Sequence, residues 1–316
     1  MKQMDFMNLQ LNKICQSLTK SDSKLKAICN KTTCHLVVTG DCEDVIENIP
    51  DESVNLIITD PPYNQGVDYG TKFNDQKPWP DYYDWLRNKL SNIPRILKSN
   101  GSFYLISYPE INARLLPYLE DELSLKFRRW ITWHYPTNIG HSKKNFTRSQ
   151  RSILFFTKTN DYIFNRENLI QHYKNPTAPV IRKRIEQGFI GRTSYDLLRF
   201  LDLIELQKGL IDVFDINLVK NNSKDRYRNL FDKFHTMTKE ELKILDHPCQ
   251  LPVMLLEILI KVSSSINSVV FDPFAGTFTT SQAALNCNRN SVGSEINTGY
   301  IKFGINRLSS SLMKCK

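Results

Sequence analysis

The chain has 316 residues, of which 41% are hydrophobic and 24% charged, as in an ordinary globular protein, and its net charge of +9 favours a polyanionic partner. No run of about 18 uncharged apolar residues occurs, and Met1–Gln10 has no apolar signal-peptide core, so we expect no membrane segment and a cytoplasmic location. The seven cysteines are scattered without a Cys-x-x-Cys pair and the six histidines do not cluster, so we expect reduced thiols and no metal site.

Strands and helices alternate from the start of the predicted core. Residues 1–33 are polar, with one short helix predicted near Met7–Leu18. Leu36–Thr39 and Val54–Ile58 are apolar runs typical of buried strands, and a short helix is predicted between them, which makes a parallel βαβ unit. Asp41 and Asp60 follow the two strands, so we expect both at the carboxyl edge of the sheet, where α/β folds bind ligands.

The second strand ends in Asp60-Pro61-Pro62-Tyr63. The two prolines stop the strand and remove two backbone N–H groups, so carbonyl and carboxylate acceptors lie next to an aromatic face. This combination suits a site that holds a planar ring and accepts hydrogen bonds from an amino group on its edge. The alternative is an ordinary turn after a strand.

The middle of the chain combines further core elements with a basic segment. We predict a helix over Asp81–Leu97, a turn at 98–101, a strand over Ser102–Ser107, a helix over Asn112–Glu122, and strands over Phe127–His134 and Ile153–Thr157. Residues 126–158 carry eight Lys and Arg and no acid, interleaved with aromatic side chains. Such a mixture suits phosphates and unstacked bases, and the alternative is a solvated positive face.

The periodicity weakens over 161–246, which we interpret as a separate lobe or insertion. It includes the basic cluster Arg182-Lys183-Arg184 and a predicted helix over Ser194–Leu210.

The C-terminal part returns to the strand–helix alternation. We predict a helix over His247–Val262, strands over Ser268–Asp272 and Ser291–Glu295, and helices over Thr279–Leu285 and Tyr300–Leu308. A tight loop containing Gly276 follows the first of these strands, and Glu295 ends the second, about 20 residues later, where nucleoside-binding folds place a ribose-binding acid. The loop lacks Gly-x-Gly-x-x-Gly, so we expect a ribose-containing ligand that is not a dinucleotide.

Three motifs in this order resemble the beta group of amino-methylating DNA methyltransferases: Asp60-Pro61-Pro62-Tyr63, then His247-Pro248-Cys249-Gln250-Leu251-Pro252, then Asp272-Pro273-Phe274-Ala275-Gly276. The resemblance implies an α/β class I methyltransferase fold, Rossmann-like, with a seven-stranded mixed, mostly parallel sheet and helices on both faces. It implies an N-terminal extension (1–33), a catalytic half (34–160), a target-recognition region (161–246) and a cofactor-binding half (247–316).

The family's roles carry over to matching positions. The implied catalytic residues are Asp60, Pro61, Pro62 and Tyr63. The implied S-adenosylmethionine site comprises Asp41, Asp60, His247, Asp272, Pro273, Phe274, Ala275, Gly276, Thr277 and Glu295. The expected DNA contacts are Trp133, Lys143, Lys144, Arg148, Arg151, Arg182, Lys183 and Arg184. The expected substrate is a flipped-out adenine in double-stranded DNA, and the partners expected for such relatives are a cognate restriction endonuclease and a second copy of the chain.

Other functions remain open at this point. N4-cytosine methylation uses the same chemistry, although Asp at position 60 goes mostly with adenine in this family. Relatives that act on RNA or protein usually carry Asn there. A DNA-binding protein without catalysis is a further alternative, because Phe278 stands where the family has a second glycine; a phenylalanine suits that position only if φ is ordinary and the cofactor does not approach closely.

Overall fold

A computed structural model of the chain describes residues 8–21, 23–71, 73–134, 143–173, 175–198 and 251–314. The strands are β1 (Lys24–Cys29), β2 (Cys34–Thr39), β3 (Val54–Thr59), β4 (Leu97–Ser107), β5 (Lys126–His134), β6 (Gln150–Thr157), β7 (Ile170–His172), β8 (Gly191–Thr193), β9 (Leu197–Leu198), β10 (Val269–Asp272) and β11 (Asn290–Glu295). The helices are α1 (Leu9–Lys20), α2 (Cys42–Glu47), α3 (Trp79–Leu90), α4 (Ile93–Ile96), α5 (Pro109–Pro117), α6 (Pro179–Glu186), α7 (Val253–Ser263), α8 (Thr279–Asn286) and α9 (Thr298–Lys314). Within these ranges no helix has the length and apolar character needed to cross a bilayer.

One sheet organises the fold, in the order β1-β2-β11-β10-β3-β4-β6-β5-β9. Strands β2, β11, β10, β3 and β4 are parallel, and β6 runs antiparallel between β4 and β5. The expected mixed, mostly parallel sheet is confirmed, but the strand number is not. Seven strands from β2 to β5 form the expected set, and the described residues add β1 at one edge and β9 at the other.

Side chains alternate between two apolar layers on the faces of the sheet. In β3, Ile57 packs into one layer while Leu56 and Ile58 pack into the other, as the two-residue period of a strand requires. The first layer is covered by α1, α2, α3 and α5, and the second by α7 and α8. Helices on both faces are what a parallel sheet needs to remove its apolar side chains from water.

The polar N-terminal segment belongs to this core. Leu11, Ile14 and Leu18 of α1 are fully buried, and β1 forms an antiparallel hairpin with β2. Cys29 and Cys34 are opposite each other in this hairpin and are joined by a disulfide, so the expectation that all cysteines are reduced is wrong for this pair.

Some predicted boundaries are also wrong. The helix predicted over Asp81–Leu97 stops at Leu90 and restarts as α4; Pro94 has no N–H to donate to the carbonyl four residues before it. The turn predicted at 98–101 is part of β4, which pairs with β3. The start of the helix predicted over Ser194–Leu210 is extended and contains β9, and the rest lies outside the described residues.

Candidate active site

The carboxyl ends of four neighbouring parallel strands surround a cavity of about 350 Å³. Strand β2 leads to Asp41, β3 to Asp60, β10 ends at Asp272 and β11 ends at Glu295, and all four carboxylates line the cavity. Two cations, Lys89 and Arg151, also line it. A cavity of this size lies at the lower end of the range used for small-molecule sites, and its excess of carboxylates suits a ligand that carries positive charge.

Asp60 is held in an aromatic and cationic setting. The Tyr63 hydroxyl donates a hydrogen bond to one carboxylate oxygen of Asp60, and a guanidinium nitrogen of Arg151 lies 3.8 Å from the other. Burial raises the pKa of Asp60, while the charge of Arg151 and the Tyr63 hydrogen bond oppose this rise. The Tyr63 ring packs against Tyr108 with 4.6 Å between the centroids.

The loop after Asp60 is fixed by buried hydrogen bonds. The hydroxyl of the buried Tyr82 donates to the Pro62 carbonyl at 2.7 Å, whereas no described hydrogen bond reaches the Pro61 carbonyl. The Asp75 carboxylate accepts backbone N–H bonds from Asn64 at 2.8 Å and from Gln65 at 3.0 Å. The two prolines and their flanks therefore have a set conformation, with one carbonyl left for a further donor.

The carboxylate of Asp272, at the end of β10, fixes the loop that follows this strand. Asp272 accepts hydrogen bonds from the Phe274 N–H at 3.1 Å and the Thr280 hydroxyl at 2.6 Å. Burial raises its pKa to about 7, although these hydrogen bonds lower it. Gly276 has φ +49°, a conformation that favours glycine. Asp272 therefore shapes the loop, whose residues Pro273, Phe274, Ala275, Gly276 and Thr277 line the cavity.

Glu295 joins this loop to the end of β11. Its carboxylate accepts N–H bonds from Gly276 at 2.8 Å, Ile296 at 2.9 Å and Asn297 at 2.7 Å. Burial raises the pKa of Glu295 to about 7, against the opposing effect of these bonds. The carboxylate stands where a ribose-binding acid was expected.

Phe278 stands in the loop after β10 where the family has a second glycine. Its φ is +61°, so the left-handed conformation that favours glycine is present. Its ring, however, is fully buried away from the cavity, in an apolar cluster with Val37, Ile301 and Leu308. Gly293 and Gly304 make room for it, since a Cβ on either would overlap the ring. The phenylalanine thus leaves the cavity open.

Asp41 begins α2 and accepts the Glu43 N–H at 3.0 Å. Lys89 donates to the carboxylates of Asp41 and Glu43, each at 2.8 Å. Burial lowers the pKa of Lys89, but these two hydrogen bonds and the negative charge of Asp41 together outweigh it and raise the pKa above its ordinary value. Asp41 is therefore a paired carboxylate at the cavity wall.

Most predicted DNA contacts lie on the surface. Lys143, Lys144 and Phe146 are exposed in the segment before β6, and the Phe146 ring is 96% exposed. Arg148 pairs with Glu110 and its guanidinium lies 3.6 Å from the centroid of Tyr108. The predicted contacts Arg182, Lys183 and Arg184 are exposed on α6.

Two of the predicted DNA contacts, Trp133 and Arg151, are only 3% and 5% exposed. They lie opposite each other in β5 and β6, and Arg151 lines the cavity. Their assignment to DNA stays a prediction.

His247 lies outside the described residues. Sequence reasoning missed Tyr82, Lys89 and Tyr108 as parts of the site, and it did not place Arg151 in the cavity wall. Their distance along the chain from the motifs carries no local signal. Tyr82 and Lys89 of α3, Tyr108 before α5 and Arg151 of β6 reach the site only through packing of these elements.

A family described as DNA methylase (N6_N4_Mtase) matches residues 54–306 of the chain. Among curated relatives, the DNA adenine methyltransferase YhdJ of Escherichia coli (strain K12) is 29% identical over 86% of this chain and 82% of its own length. The type II methyltransferase M.HpaI of Haemophilus parainfluenzae is also 29% identical, over 84% of this chain and 71% of its own length.

Solved structures share the fold. The cytosine-N4-specific PvuII DNA methyltransferase has a TM-score of 0.61 at 17% identity, with coverage of 89% of this chain and 90% of its own. The complex of M1.HpyAVI with SAM has a TM-score of 0.54 at 18% identity, with coverage of 86% and 98%. At such identities the likeness concerns the α/β fold alone.

Proposed function

The chain belongs to the DNA methylase family, and from this premise we propose that it transfers a methyl group from S-adenosylmethionine to the exocyclic amino group of an adenine within a specific DNA sequence. The observation that carries the proposal is the position of Asp60-Pro61-Pro62-Tyr63 at the end of β3, facing the same cavity as Glu295 and the loop after β10. The adenine specificity is supported by Asp at position 60 and by the adenine-specific name of one relative.

The cavity residues fit S-adenosylmethionine. We assign the ribose to Glu295, the adenosine side to the loop around Gly276 and to Asp41, and the region beside Asp60 to the reacting end. The two cations of the described lining, Lys89 and Arg151, lie against Asp41 and Asp60, so they do not oppose the positive charge of a sulfonium compound. When bound, S-adenosylmethionine supplies an activated methyl group for direct displacement.

The chain's own contribution is to accept and orient the amino group. An amino nitrogen on an aromatic ring is a poor nucleophile because its lone pair is delocalised into the ring. The Asp60 carboxylate and the Pro61 carbonyl accept its two N–H groups, which favours a pyramidal nitrogen and stabilises the positive charge that develops on it. Fixing these acceptors on a rigid loop supplies alignment without a covalent intermediate on the protein.

The target base must leave the duplex to enter the cavity, at a cost of a few kcal/mol. Stacking on Tyr63 offsets roughly 1–3 kcal/mol of this cost, by analogy with other base–aromatic contacts. Lys143, Lys144 and Arg148 lie on the β5–β6 connection, at the same sheet edge as Asp60, and we assign them to phosphates, with Arg182–Arg184 of α6 as a second basic surface.

We extend the proposal to the organisation of the protein. Residues 161–246 act as the target-recognition region between the catalytic half (34–160) and the cofactor half (247–316), after the extension 1–33. The type II name of one relative supports a restriction–modification role with a cognate endonuclease. The enzyme would act in the cytoplasm.

We also propose a homodimer, which sedimentation of the protein with and without DNA would test.

The test uses purified protein, duplex DNA and S-adenosylmethionine labelled in its methyl group. Digestion of the DNA to nucleosides should give labelled N6-methyladenine, and Asp60→Ala should remove the label. Labelled N4-methylcytosine would overturn the base assignment. An unlabelled product with normal DNA binding would favour the catalysis-deficient alternative.

A further inference from the structure

Arg151 is a buried cation whose place in the site needs explanation. It lies near the start of β6, directly opposite Trp133 of β5, and is 5% exposed. Its guanidinium lies 4.9 Å from the ring centroid of Tyr63, 5.7 Å from that of Trp133 and 5.9 Å from that of Tyr108. Removing an arginine from water is costly unless a charge and polar partners compensate.

The carboxylate of Asp60 supplies a compensating charge, 3.8 Å from the guanidinium. Among the residues that the structure describes, the ionisable groups that act on Asp60 are Tyr63 on its own loop, Tyr82 on α3, Asp272 on β10 and Arg151 on β6. The tyrosines are neutral near pH 7 and Asp272 is an acid, so the positive charge among these groups comes from Arg151. The other cation of the cavity wall, Lys89, is engaged with Asp41 and Glu43.

We propose that Arg151 is a positioning residue that keeps the Asp60 carboxylate ionised and aimed at the target amino group, and that it is not a phosphate contact. The proposal rests on the function proposed above for Asp60. A protonated Asp60 would be a weaker acceptor for an amino group that becomes positive, so methylation needs the ionised form. A cation within about 4–6 Å lowers the pKa of an aspartate by roughly 1–3 units, which opposes part of the larger rise that burial causes in the pKa of Asp60.

The three surrounding rings explain why an arginine suits this position. A planar guanidinium packs against aromatic faces and keeps its orientation, whereas a lysine ammonium would supply the charge without the planar fit. Charge and orientation can therefore be separated by substitution. Arg151→Lys keeps the charge, while Arg151→Gln and Arg151→Met remove it.

The experiment follows the titration of Asp60 directly, by carbon NMR of the full chain labelled at aspartate carboxyl carbons. Asp60→Asn assigns the signal. The midpoint should rise by about 1–3 pH units in Arg151→Gln and Arg151→Met and by much less in Arg151→Lys. Arg148→Gln is the matched control, because Arg148 contacts the same Tyr108 from the connection just before β6 but pairs with Glu110; the Asp60 midpoint should not move.

Methylation rates measured from pH 5 to 9 provide the second measurement. In Arg151→Gln and Arg151→Met, the pH at which turnover falls to half on the acid side should rise by the same amount as the Asp60 midpoint. Most of the activity should return at high pH. A purely structural role would lower turnover at every pH and leave the limb in place. If Arg151→Gln does not fold, Arg151→Met and Arg151→Lys carry the comparison.

An unchanged Asp60 midpoint in the folded neutral variants would overturn the proposal for Arg151. The titration needs no substrate. If the Asp60 midpoint shifts in the Arg151 variants but the wild-type chain shows no methylation, the result would therefore count against the proposed reaction and not against the role of Arg151.

Discussion

Replacing Phe278 with glycine tests whether its ring supports the fold or obstructs the cofactor. The ring is fully buried among apolar side chains, and removing a core phenylalanine costs about 3–5 kcal/mol in unfolding free energy. Glycine recovers about 1–2 kcal/mol, because φ at this position is +61° and strains any residue with a Cβ. The expected net loss for Phe278→Gly is therefore about 1–4 kcal/mol.

Urea unfolding and calorimetric titration with S-adenosylmethionine measure the two effects separately. Because the ring does not line the cavity, the dissociation constant of the folded variant should stay within about threefold of wild type, a change below 1 kcal/mol. A variant that is as stable as wild type, or that binds the cofactor tenfold more tightly, would refute this account of Phe278.

Gly304→Ala tests the same contact from the opposite side. The added Cβ would overlap Phe278 and lie 2.7 Å from its Cγ, so we expect a loss of about 1–3 kcal/mol from overpacking. The loss should shrink or vanish in the Phe278→Gly background, where the space is open. Gly299→Ala on the same helix is the control, since its Cβ would meet only the Asn297 side chain, at 3.1 Å. Equal costs of Gly304→Ala in both backgrounds would contradict the proposed contact.

Three further predictions concern the proposed reaction. Tyr63→Ala should lower single-turnover methylation by about 5- to 150-fold, since stacking contributes about 1–3 kcal/mol, while DNA binding in a filter assay largely survives; unchanged turnover would remove Tyr63 from the site. Replacing Lys143 and Lys144 with alanine should reduce the slope of log affinity for DNA against log salt concentration by about 0.9 per lysine, and an unaltered slope would place the phosphates elsewhere. Cofactor affinity, measured by calorimetry, should fall as pH decreases through about 7, because the carboxylate of Glu295 becomes protonated. Burial raises the pKa of Asp272 to about 7 as well, so Glu295→Gln should bind the cofactor weakly and lose only part of this pH dependence. If the variant retained the full pH dependence, Glu295 would be excluded as its source.

Much of the fold follows from local patterns in the sequence. The buried strands β3 and β10 are short apolar runs bounded by turn residues, and their carboxyl-end acids could be assigned to one edge of the sheet. Strand β1 was missed because Lys24 and Lys26 alternate with apolar residues in a segment whose overall composition is polar. Strand β1 belongs to the sheet because it pairs with β2, and amino-acid composition does not predict such pairing.

The site was predictable where a motif carries its own chemistry and not where distant elements meet. Asp60 and Tyr63 share one tetrapeptide, so their proximity follows from the sequence. The contact between Asp60 and Arg151 depends on the antiparallel register of β4 with β6, which brings Ser107 opposite Ser152. The orientation of Phe278 likewise depends on two glycines in other elements.

Long-read detection of modified bases is the measurement we would make first, because it tests directly whether the chain methylates adenine at a specific DNA sequence. DNA would be taken from a methylation-free host that expresses this chain, with the Asp60→Ala variant as control. We expect N6-methyladenine at one short motif for the wild-type chain and none for the variant. N4-methylcytosine at that motif, or unmodified DNA from a host that contains the folded wild-type protein, would contradict it.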